Sequence, residues 1–565
     1  MIVRNEAHII REGLDSVAPY IDSWVIVDTG SDDGTQDVIR EHLAGLGIPG
    51  ELYERPWRDF GHNRTEALML AQGHGDYIWV MDADDVVVGA PDFTALDADV
   101  YFMRVKEQSA FSYWRGALFR DGARVRYVGV VHESVQCDDD PFTTARLAGD
   151  HHIESRRLGG RNLDTHKYER DIALLLSAVQ RDPTDARSVF YLAQSYFLLT
   201  DFANARTWYE RRIELGGWNE EVYYSIYRLA MSMERLGEPW PDVEQTYLRA
   251  WETRPTRAEA VFTVAVHYRV EGRYQLGYLF ARCADEIDYP DLDVVFVHPD
   301  IHQWRTTDER AVCASQIGRH SEAFALFRRL VAHPEFPDAE RPRMANNRDF
   351  SVPAMLAAAS SYPEAVVRGL PASRPDSGVT VSVIAGPDRG EVERALNSFL
   401  YCCNDIGRAG RFLVVDTGLS VADRGWLGER YGFVEFVDAA PDADPVALLA
   451  GIRHRVGGRC WLHLGRGWRF FAPEDYLTRL TAVLDAEPQL VQVGVNFGDA
   501  AALTRTCAGE AVVRRAPGAG RYVLGGAVVT GPAMFDTARL DRAGGFTGPG
   551  WPAATLDEVL CIRDD

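Results

Sequence analysis

Two apolar runs end in carboxylates. Tyr77-Ile78-Trp79-Val80-Met81 is followed by Asp82-Ala83-Asp84-Asp85, and Trp24-Val25-Ile26-Val27 by Asp28. Two aspartates one residue apart in an extended segment can share a ligand, one meeting a ribose hydroxyl and the other a divalent ion. Hard oxygen donors suit Mg2+ or Mn2+, and both ions also bind diphosphate oxygens. Asp-x-Asp alone is a weak signal, because solvated turns carry it too. Closing a buried strand, with Asp28 closing an earlier one, it reads as a ligand site.

These carboxylates need a frame. Ile10, Leu14, Val17 and Ile21 are spaced to make one apolar helical face. The strand Trp24–Val27 leads into the polar turn 28–35 and a helix from Gln36; the strand Tyr77–Met81 leads into the aspartates. Strand–helix alternation with polar turns at strand C-termini indicates a parallel α/β sheet that binds ligands at that edge.

Length and composition fit a multidomain globular protein. The 565 residues suggest about three or four domains. Lys and Arg total 60 against 83 Asp and Glu, a formal charge of −23. That balance argues against a general nucleic-acid binder, since phosphate backbones are held by basic surfaces. A nucleotide pocket stays open, because one metal ion neutralises a diphosphate locally. The eight cysteines form no Cys-x-x-Cys and are irregularly spaced, which disfavours a zinc site or a disulfide framework. The first residues, MIVRNEAHIIRE, are no signal peptide, and no apolar run reaches the ~18 residues needed to span a bilayer. The expectation is a soluble cytoplasmic protein, at most peripheral to a membrane.

Residues 162–350 read as helices only. Leu192-Ala193, Leu229-Ala230 and Val264-Ala265 recur at intervals of 37 and 35. Seven residues after each alanine stands a turn residue, Thr200, Gly237 or Gly272, and Ala311 and Gly318 repeat the offset. Ala205 and Ala323 fall twelve residues after their units' alanines. Small residues at these offsets let antiparallel helices pack closely, and the period is that of tetratricopeptide repeats. Residues 351–378, with four prolines, read as a helix and a linker. Beyond it the α/β pattern returns. Val379–Ala385 and Arg411–Val415 are apolar strands, and Val414-Val415-Asp416-Thr417-Gly418 echoes Ile26-Val27-Asp28-Thr29-Gly30. Residues 379–565 are therefore expected to be a diverged second copy of the first domain, residues 1–155.

The N-terminal region resembles a bacterial family 2 glycosyltransferase of the GT-A (Rossmann-like) fold. The resemblance rests on Ile2-Val3-Arg4-Asn5-Glu6, on Val27 through Thr35, on Asp82-Ala83-Asp84, on Trp57 through Arg64, and on Val131-His132-Glu133 after an Arg-rich strand. Peptide S-glycosyltransferases of bacteriocin biosynthesis join such a domain to tetratricopeptide repeats. The resemblance implies an inverting, metal-dependent sugar transfer from a nucleotide-sugar, usually UDP-linked, to a glycan or peptide acceptor. It assigns Asp28 to the nucleobase, Asp82 to ribose and metal, and Asp84 and His132 to the metal, Mg2+ or Mn2+. Arg64 would steady the diphosphate, unless it is a surface ion pair. Glu133 would take the acceptor proton, with Asp85 as its competitor. The family's usual acidic pair after Gly-Gly-Phe is missing from the first domain. Gly544-Gly545-Phe546 occurs in the second, followed by Asp557-Glu558 at an expected helix start.

In the second copy, Gly465, Arg466 and Gly467 stand where Asp82, Ala83 and Asp84 stand in the first, so that domain is expected to be degenerate, with a structural or acceptor-binding role. The repeats would help build the acceptor site or mediate homodimerisation. Trp208, Tyr209, Trp218, Tyr223, Tyr224 and Tyr227 either line such a groove or pack between helices. Two other functions compete. A nucleotidyltransferase needs a glycine-rich loop after its first strand, and Arg4-Asn5-Glu6-Ala7-His8 has no glycine. A non-catalytic tetratricopeptide scaffold with degenerate transferase domains would not need Asp82, Asp84 and His132. The first strand holds only Met1, Ile2 and Val3 before its polar turn, against seven residues in Val379–Ala385; the expectation is a chain that begins further upstream, or a frayed strand.

Overall fold

The computed structural model describes all residues except 108–111, 139–140, 334–335, 372–377, 497–512, 526–530, 548–549 and 564–565. Cys507 lies outside the described residues. The chain forms two compact units, residues 1–264 with 283–303, and residues 265–282 with 304–565. The helical region is thus divided between the two units.

The first unit opens with three parallel strands, β1 (Ile2–Val3), β2 (Trp24–Asp28) and β3 (Gly50–Glu54), in that order, with Val3 opposite Asp28 and Asp28 opposite Glu54. Helix α1 (Ile10–Val17) buries Ile10, Leu14 and Val17, and Ile21 lies beyond its end. Helices α2 (Thr35–Leu46) and α3 (Phe60–Leu70) follow β2 and β3. The remaining strands are β4 (Tyr77–Trp79), β5 (Asp85–Val88), β6 (Val100–Glu107), β7 (Ser112–Arg120), β8 (Val125–Val128), β9 (Ser134–Cys137), β10 (Thr144–Arg146) and β11 (His152–Ser155). They form a sheet of order β4-β7-β6-β11-β5, with β10 beside β6, and a separate β8–β9 hairpin. Strand β4 ends at Trp79, two residues short of the expected Met81, so the aspartates sit in a turn between β4 and β5.

Helical hairpins follow: α4 (Gly160–Leu163), α5 (Lys167–Arg181), α6 (Ala186–Leu198), α7 (Phe202–Leu215), α8 (Asn219–Arg235), α9 (Trp240–Thr253), α10 (Glu259–Val270), α11 (Tyr274–Asp285), α12 (Thr306–Gln316), α13 (His320–Ala332) and α14 (Arg341–Phe350). Ala193, Ala205, Ala230, Ala265, Ala311 and Ala323 are fully buried, because the paired helices approach there. Thr200, Gly237, Gly272 and Gly318 all take positive φ, the left-handed residue that ends one helix and starts the return. Within the first unit, Tyr209, Tyr223, Tyr224 and Tyr227 are buried between helices, while Trp218 is exposed.

In the second unit, α15 (Val352–Ala359) stands where a helix was expected, and α16 (Glu364–Gly369) takes part of the expected linker. Val352, Met355, Leu356 and Ala359 join the core under the second α/β sheet, so this segment is bound by apolar burial. That sheet takes β12 (Val379–Ala385), β13 (Ala409–Asp416), β14 (Val434–Asp438), β15 (Cys460–His463), and, after β16 (Trp468–Phe470), β17 (Gln492–Gly494), β18 (Val513–Ala516), β19 (Gly520–Gly525), β20 (Ala533–Asp536) and β21 (Ala553–Leu556). Its order is β14-β13-β12-β15-β20-β17-β21-β19-β18. Strands β12, β13, β14 and β15 are parallel, and β20 runs antiparallel between β15 and β17. The first unit repeats these pairings: β4 with β7 antiparallel, β7 with β6 antiparallel, β6 with β11 parallel. Asp557 and Glu558 do not start a helix; they follow β21 in a bend, where Asp557 pairs with Arg521 and Glu558 with Arg479. Among the described residues no helix is long and apolar enough to cross a membrane.

Candidate active site

The turn after β2 is built from its own side chains. Asp28 Oδ1 accepts from the backbone N–H of Gly30 at 2.8 Å and Ser31 at 2.9 Å. The Thr29 hydroxyl donates to the Val3 carbonyl. Asn5, Glu6 and Ala7 are tied to the same turn, their N–H groups donating to Ser31 Oγ, Thr35 Oγ1 and Asp33 Oδ2. Asp28 Oδ2 is buried with no hydrogen-bond partner among the described residues. A buried carboxylate oxygen without a donor is costly, so this oxygen fits a ligand N–H such as that of a nucleobase.

The segment Trp57 through Arg64 aims Arg64. Asp59 caps α3 by accepting from His62 N–H, and the buried Asn63 holds the incoming chain through Arg58 N–H and the Pro56 carbonyl. Gly61 lies so close to the turn before His132 that a Cβ there would stand 2.5 Å from the Gly129 carbonyl oxygen. Docked in this way, Arg64 meets Asp82 at 2.5 Å and Glu133 at 2.5 Å. Burial works against the Arg64 charge, but Asp82 and Glu133 outweigh it and raise its pKa. Arg115 on β7 completes a chain, pairing with Asp82 at 3.1 Å and with Asp85 at 2.5 Å. Burial raises the Asp82 carboxyl, yet Arg64 and Arg115 prevail and hold it at about 2.

The expected site residues do not form one cluster. Asp82, Arg64 and Glu133 are joined directly. Asp85 is 1% exposed and held by Arg115; burial pushes its carboxyl up, and it anchors an arginine where an acceptor cannot reach. Asp84 turns the other way, its Oδ2 accepting from Gly159 N–H at 2.9 Å. Beside it, Glu6 accepts from Gly160 N–H, and burial, with Asp84 nearby, raises the Glu6 carboxyl to about 7.

His132 does not join the aspartates. It takes φ +53 and stacks on Tyr191 of α6, ring centroids 4.1 Å apart, while Arg187 donates to its carbonyl at 3.1 Å. Desolvation by these neighbours, with the charges of Arg161, Lys167 and Arg187, lowers its pKa. No group of three or more His, Cys, Asp or Glu side chains among the described residues converges as a metal site. The trio Asp82, Asp84 and His132 is thus not assembled: two guanidiniums take Asp82, and an aromatic ring takes His132. The donors that fit a hard divalent ion are Asp84 and Glu6, two carboxylates beside one turn. Mg2+ commonly uses one or two carboxylates and takes further oxygens from substrate phosphates.

Sequence reasoning gave no role to Glu6, Arg115, Arg187 or Tyr191. Glu6 stands in a segment that carries the resemblance, so its type was visible there. Tyr191 and Arg187 lie 59 and 55 residues beyond His132, on a helix assigned to the repeats.

Residues 1–89 match the family model for Glycosyl transferase family 2. A TPR repeat-containing protein of Synechococcus elongatus is 37% identical over 89 residues, a match covering 16% of this chain and 20% of that protein. The chain thus spans about a fifth of the length of the curated relative it matches. Among solved structures, MamA is similar at 14% identity over 29% of this chain and 85% of that one, with a TM-score of 0.24. YrrB, described as a TPR protein with an unusual peptide-binding site, is similar at 16% identity over 34% of this chain and 87% of that one, again at 0.24. The match to glycosyl transferase family 2 thus lies in the first 89 residues, and the chain continues into helical hairpins.

Proposed function

We propose that the first α/β domain transfers a sugar from a nucleotide-sugar, UDP-linked by the resemblance, to a glycan or peptide acceptor with inversion. The observation that carries this reading is the double ion pair of Arg64. One guanidinium ties the strand-end aspartate Asp82 to Glu133, the carboxylate best placed to act as a base. Asp28 Oδ2 would accept the nucleobase N–H. Arg64 and Arg115 keep Asp82 ionised and oriented towards the ribose. Glu133, paired with Arg64, would take the acceptor proton as the acceptor's electron pair attacks the anomeric carbon; the bond to the diphosphate oxygen breaks and its electrons leave with the nucleotide. Tyr191 and Arg187 fix the backbone at His132 and so the aim of Glu133. Mg2+ or Mn2+, held by Asp84 with Glu6 beside it, would neutralise the departing diphosphate.

Residues 379–565 are read as a degenerate GT-A-like domain. Their strand order and the Asp416 turn support the likeness, and Gly465, Arg466 and Gly467 remove the carboxylates. One observation favours the scaffold alternative: Asp82 is already saturated by two guanidiniums.

The test is thermal unfolding with nucleoside diphosphates, with and without Mn2+. One of them should stabilise the chain by about 2.7 kcal/mol at a hundred times its dissociation constant. No stabilisation by any of them, with or without metal, refutes the transferase reading and leaves the scaffold.

A further inference from the structure

Strand β11 ends at Ser155, opposite Asp85 on β5, so the chain leaves the sheet beside the aspartate turn. Residues 156–160 then run along that turn before α4 begins, and their anchors are polar. Arg156 donates from Nε to the Asp84 carbonyl at 3.2 Å and pairs with Glu12. The Leu158 carbonyl accepts from His8 at 3.0 Å, while the Leu158 side chain is exposed. Gly159 N–H donates to Asp84 Oδ2 at 2.9 Å, and Gly160 N–H lies 3.2 and 3.1 Å from the two Glu6 carboxylate oxygens.

Both glycines are closely fitted. A Cβ on Gly159 would stand 3.3 Å from Asp84 Oδ2 and 3.3 Å from Glu6 Oε1, so this backbone lies against both carboxylates. A Cβ on Gly160 would stand 3.0 Å from the Asn5 carbonyl oxygen. Just before them, Arg157 takes φ +53, a left-handed conformation that disfavours residues with a β-carbon. The segment therefore keeps its place against backbone strain, and hydrogen bonds to two carboxylates are what draw it in.

A divalent ion makes the opposite demand on the same oxygens. Mg2+ draws its oxygen ligands to about 2.0–2.1 Å, nearer than any N–H nitrogen approaches. The hydrogens of Gly159 and Gly160 carry partial positive charge, so they and a cation compete for the same carboxylate faces.

We propose that residues 156–160 are a latch on the divalent-ion site: Gly159 and Gly160 hold the Asp84 and Glu6 carboxylates in the metal-free chain, and an ion that takes those carboxylates displaces the segment. The proposal rests on the reading of Asp84 and Glu6 as the ion's donors. The moving part is short. Strand β11 fixes its near end; Arg161 fixes its far end, lying 4.2 Å over the Phe60 ring and donating to Asp171 at 2.8 Å.

The experiment uses the full chain, with Mn2+ alone and Mn2+ with UDP as probes. Bound Mn2+ is counted from the loss of the free ion's electron paramagnetic resonance signal, and amide exchange is read by mass spectrometry in peptides covering 156–163. The metal-free chain should protect this stretch, and saturating Mn2+ should speed its exchange at least tenfold. Gly160→Pro deletes the N–H that Glu6 accepts, at the first position of a helix, where proline is tolerated. It should bind Mn2+ at least tenfold more tightly than the native chain. Mn2+ that binds the native chain, is lost in Asp84→Asn and leaves 156–163 protected overturns the latch while the metal assignment stands. Mn2+ binding to neither the native chain nor a folded Gly160→Pro overturns both. If Gly160→Pro does not fold, His8→Ala takes its place, since it removes the anchor on the Leu158 carbonyl and leaves both carboxylates. It should tighten Mn2+ binding at least threefold and speed exchange of 156–163; native affinity and native exchange in that variant are the overturning result.

Discussion

Asp28 and Asp416 each end the second strand of an α/β region, and their turns differ at one oxygen. Each Oδ1 accepts from the N–H groups two and three residues on, at 2.8 and 2.9 Å in the first domain and at 3.0 and 2.8 Å in the second. Each following threonine donates its hydroxyl to the end of the neighbouring strand, Val3 or Ala385. The other oxygen departs from this likeness. Asp28 Oδ2 is buried without a partner among the described residues, whereas Asp416 Oδ2 pairs with Arg424 at 3.3 Å. The turn is thus held by bonds internal to it, and its ligand-facing oxygen is free to change. At the strand end before Gly465 the regions differ more, since Gly465 and Gly467 carry no carboxylate and Arg466 pairs with Glu391.

The strongest way to break this comparison is to remove Asp84. We expect Asp84→Asn to lower transfer and donor hydrolysis roughly 10²–10³-fold, the usual cost of deleting a charged group that stabilises a leaving group. Arg466→Ala should leave both rates unchanged. Steady-state rates of the two variants decide; equal losses would mean that the second domain takes part in the chemistry.

The next effect is smaller. Asp28→Ala removes a charged acceptor from the proposed nucleobase pocket and should weaken nucleoside diphosphate binding by about 1.5–3 kcal/mol, roughly ten- to a hundredfold. Asp416→Ala should not change that affinity, because Arg424 already satisfies its outer oxygen. Calorimetry on both variants separates the two aspartates. A comparable loss from Asp416→Ala would place a second nucleotide in the second domain.

Local signals were legible in the sequence, and long-range pairings were not. The offsets that placed Thr200, Gly237, Gly272 and Gly318 at turns correspond to four left-handed residues, because a hairpin of fixed period must reverse at a fixed point. The seven residues Val379–Ala385 are a strand with the same ends, their apolar run being bounded by Gly378 and Gly386. The partners of Asp82 could not be read, since Arg64 and Arg115 lie 18 and 33 residues away, one on a helix and one on a strand. Nor could the return of residues 283–303 to the first unit, because that segment carries no local signal of its partners. The helix expected at the start of 351–378 is there, but nothing local showed that its Met355, Leu356 and Ala359 join a core.

The smallest expected effect tests whether the second domain's turn is a first-domain turn with its side chains removed. Gly465 and Gly467 take φ of +73° and +76°, a region that costs other L-residues about 1–2 kcal/mol, whereas none of residues 82–85 has positive φ. A Cβ on Gly465 would also stand 3.1 Å from Trp468 Cδ1. The two turns therefore differ in backbone shape as well as in carboxylates. Restoring side chains at a left-handed position should strain the loop without rebuilding a site. Gly465→Asp should lower the melting temperature of the second unit by roughly 2–8 °C, from about 2–4 °C per kcal/mol for a unit of this class. It should confer no Mn2+-dependent nucleotide binding, even with Gly467→Asp and Arg466→Ala added. Calorimetry and thermal melts of the single and triple variants check both halves. A triple variant that binds nucleotide with Mn2+ and melts no lower than the parent would show that the turns are interchangeable and that the loss of side chains alone silenced the second domain.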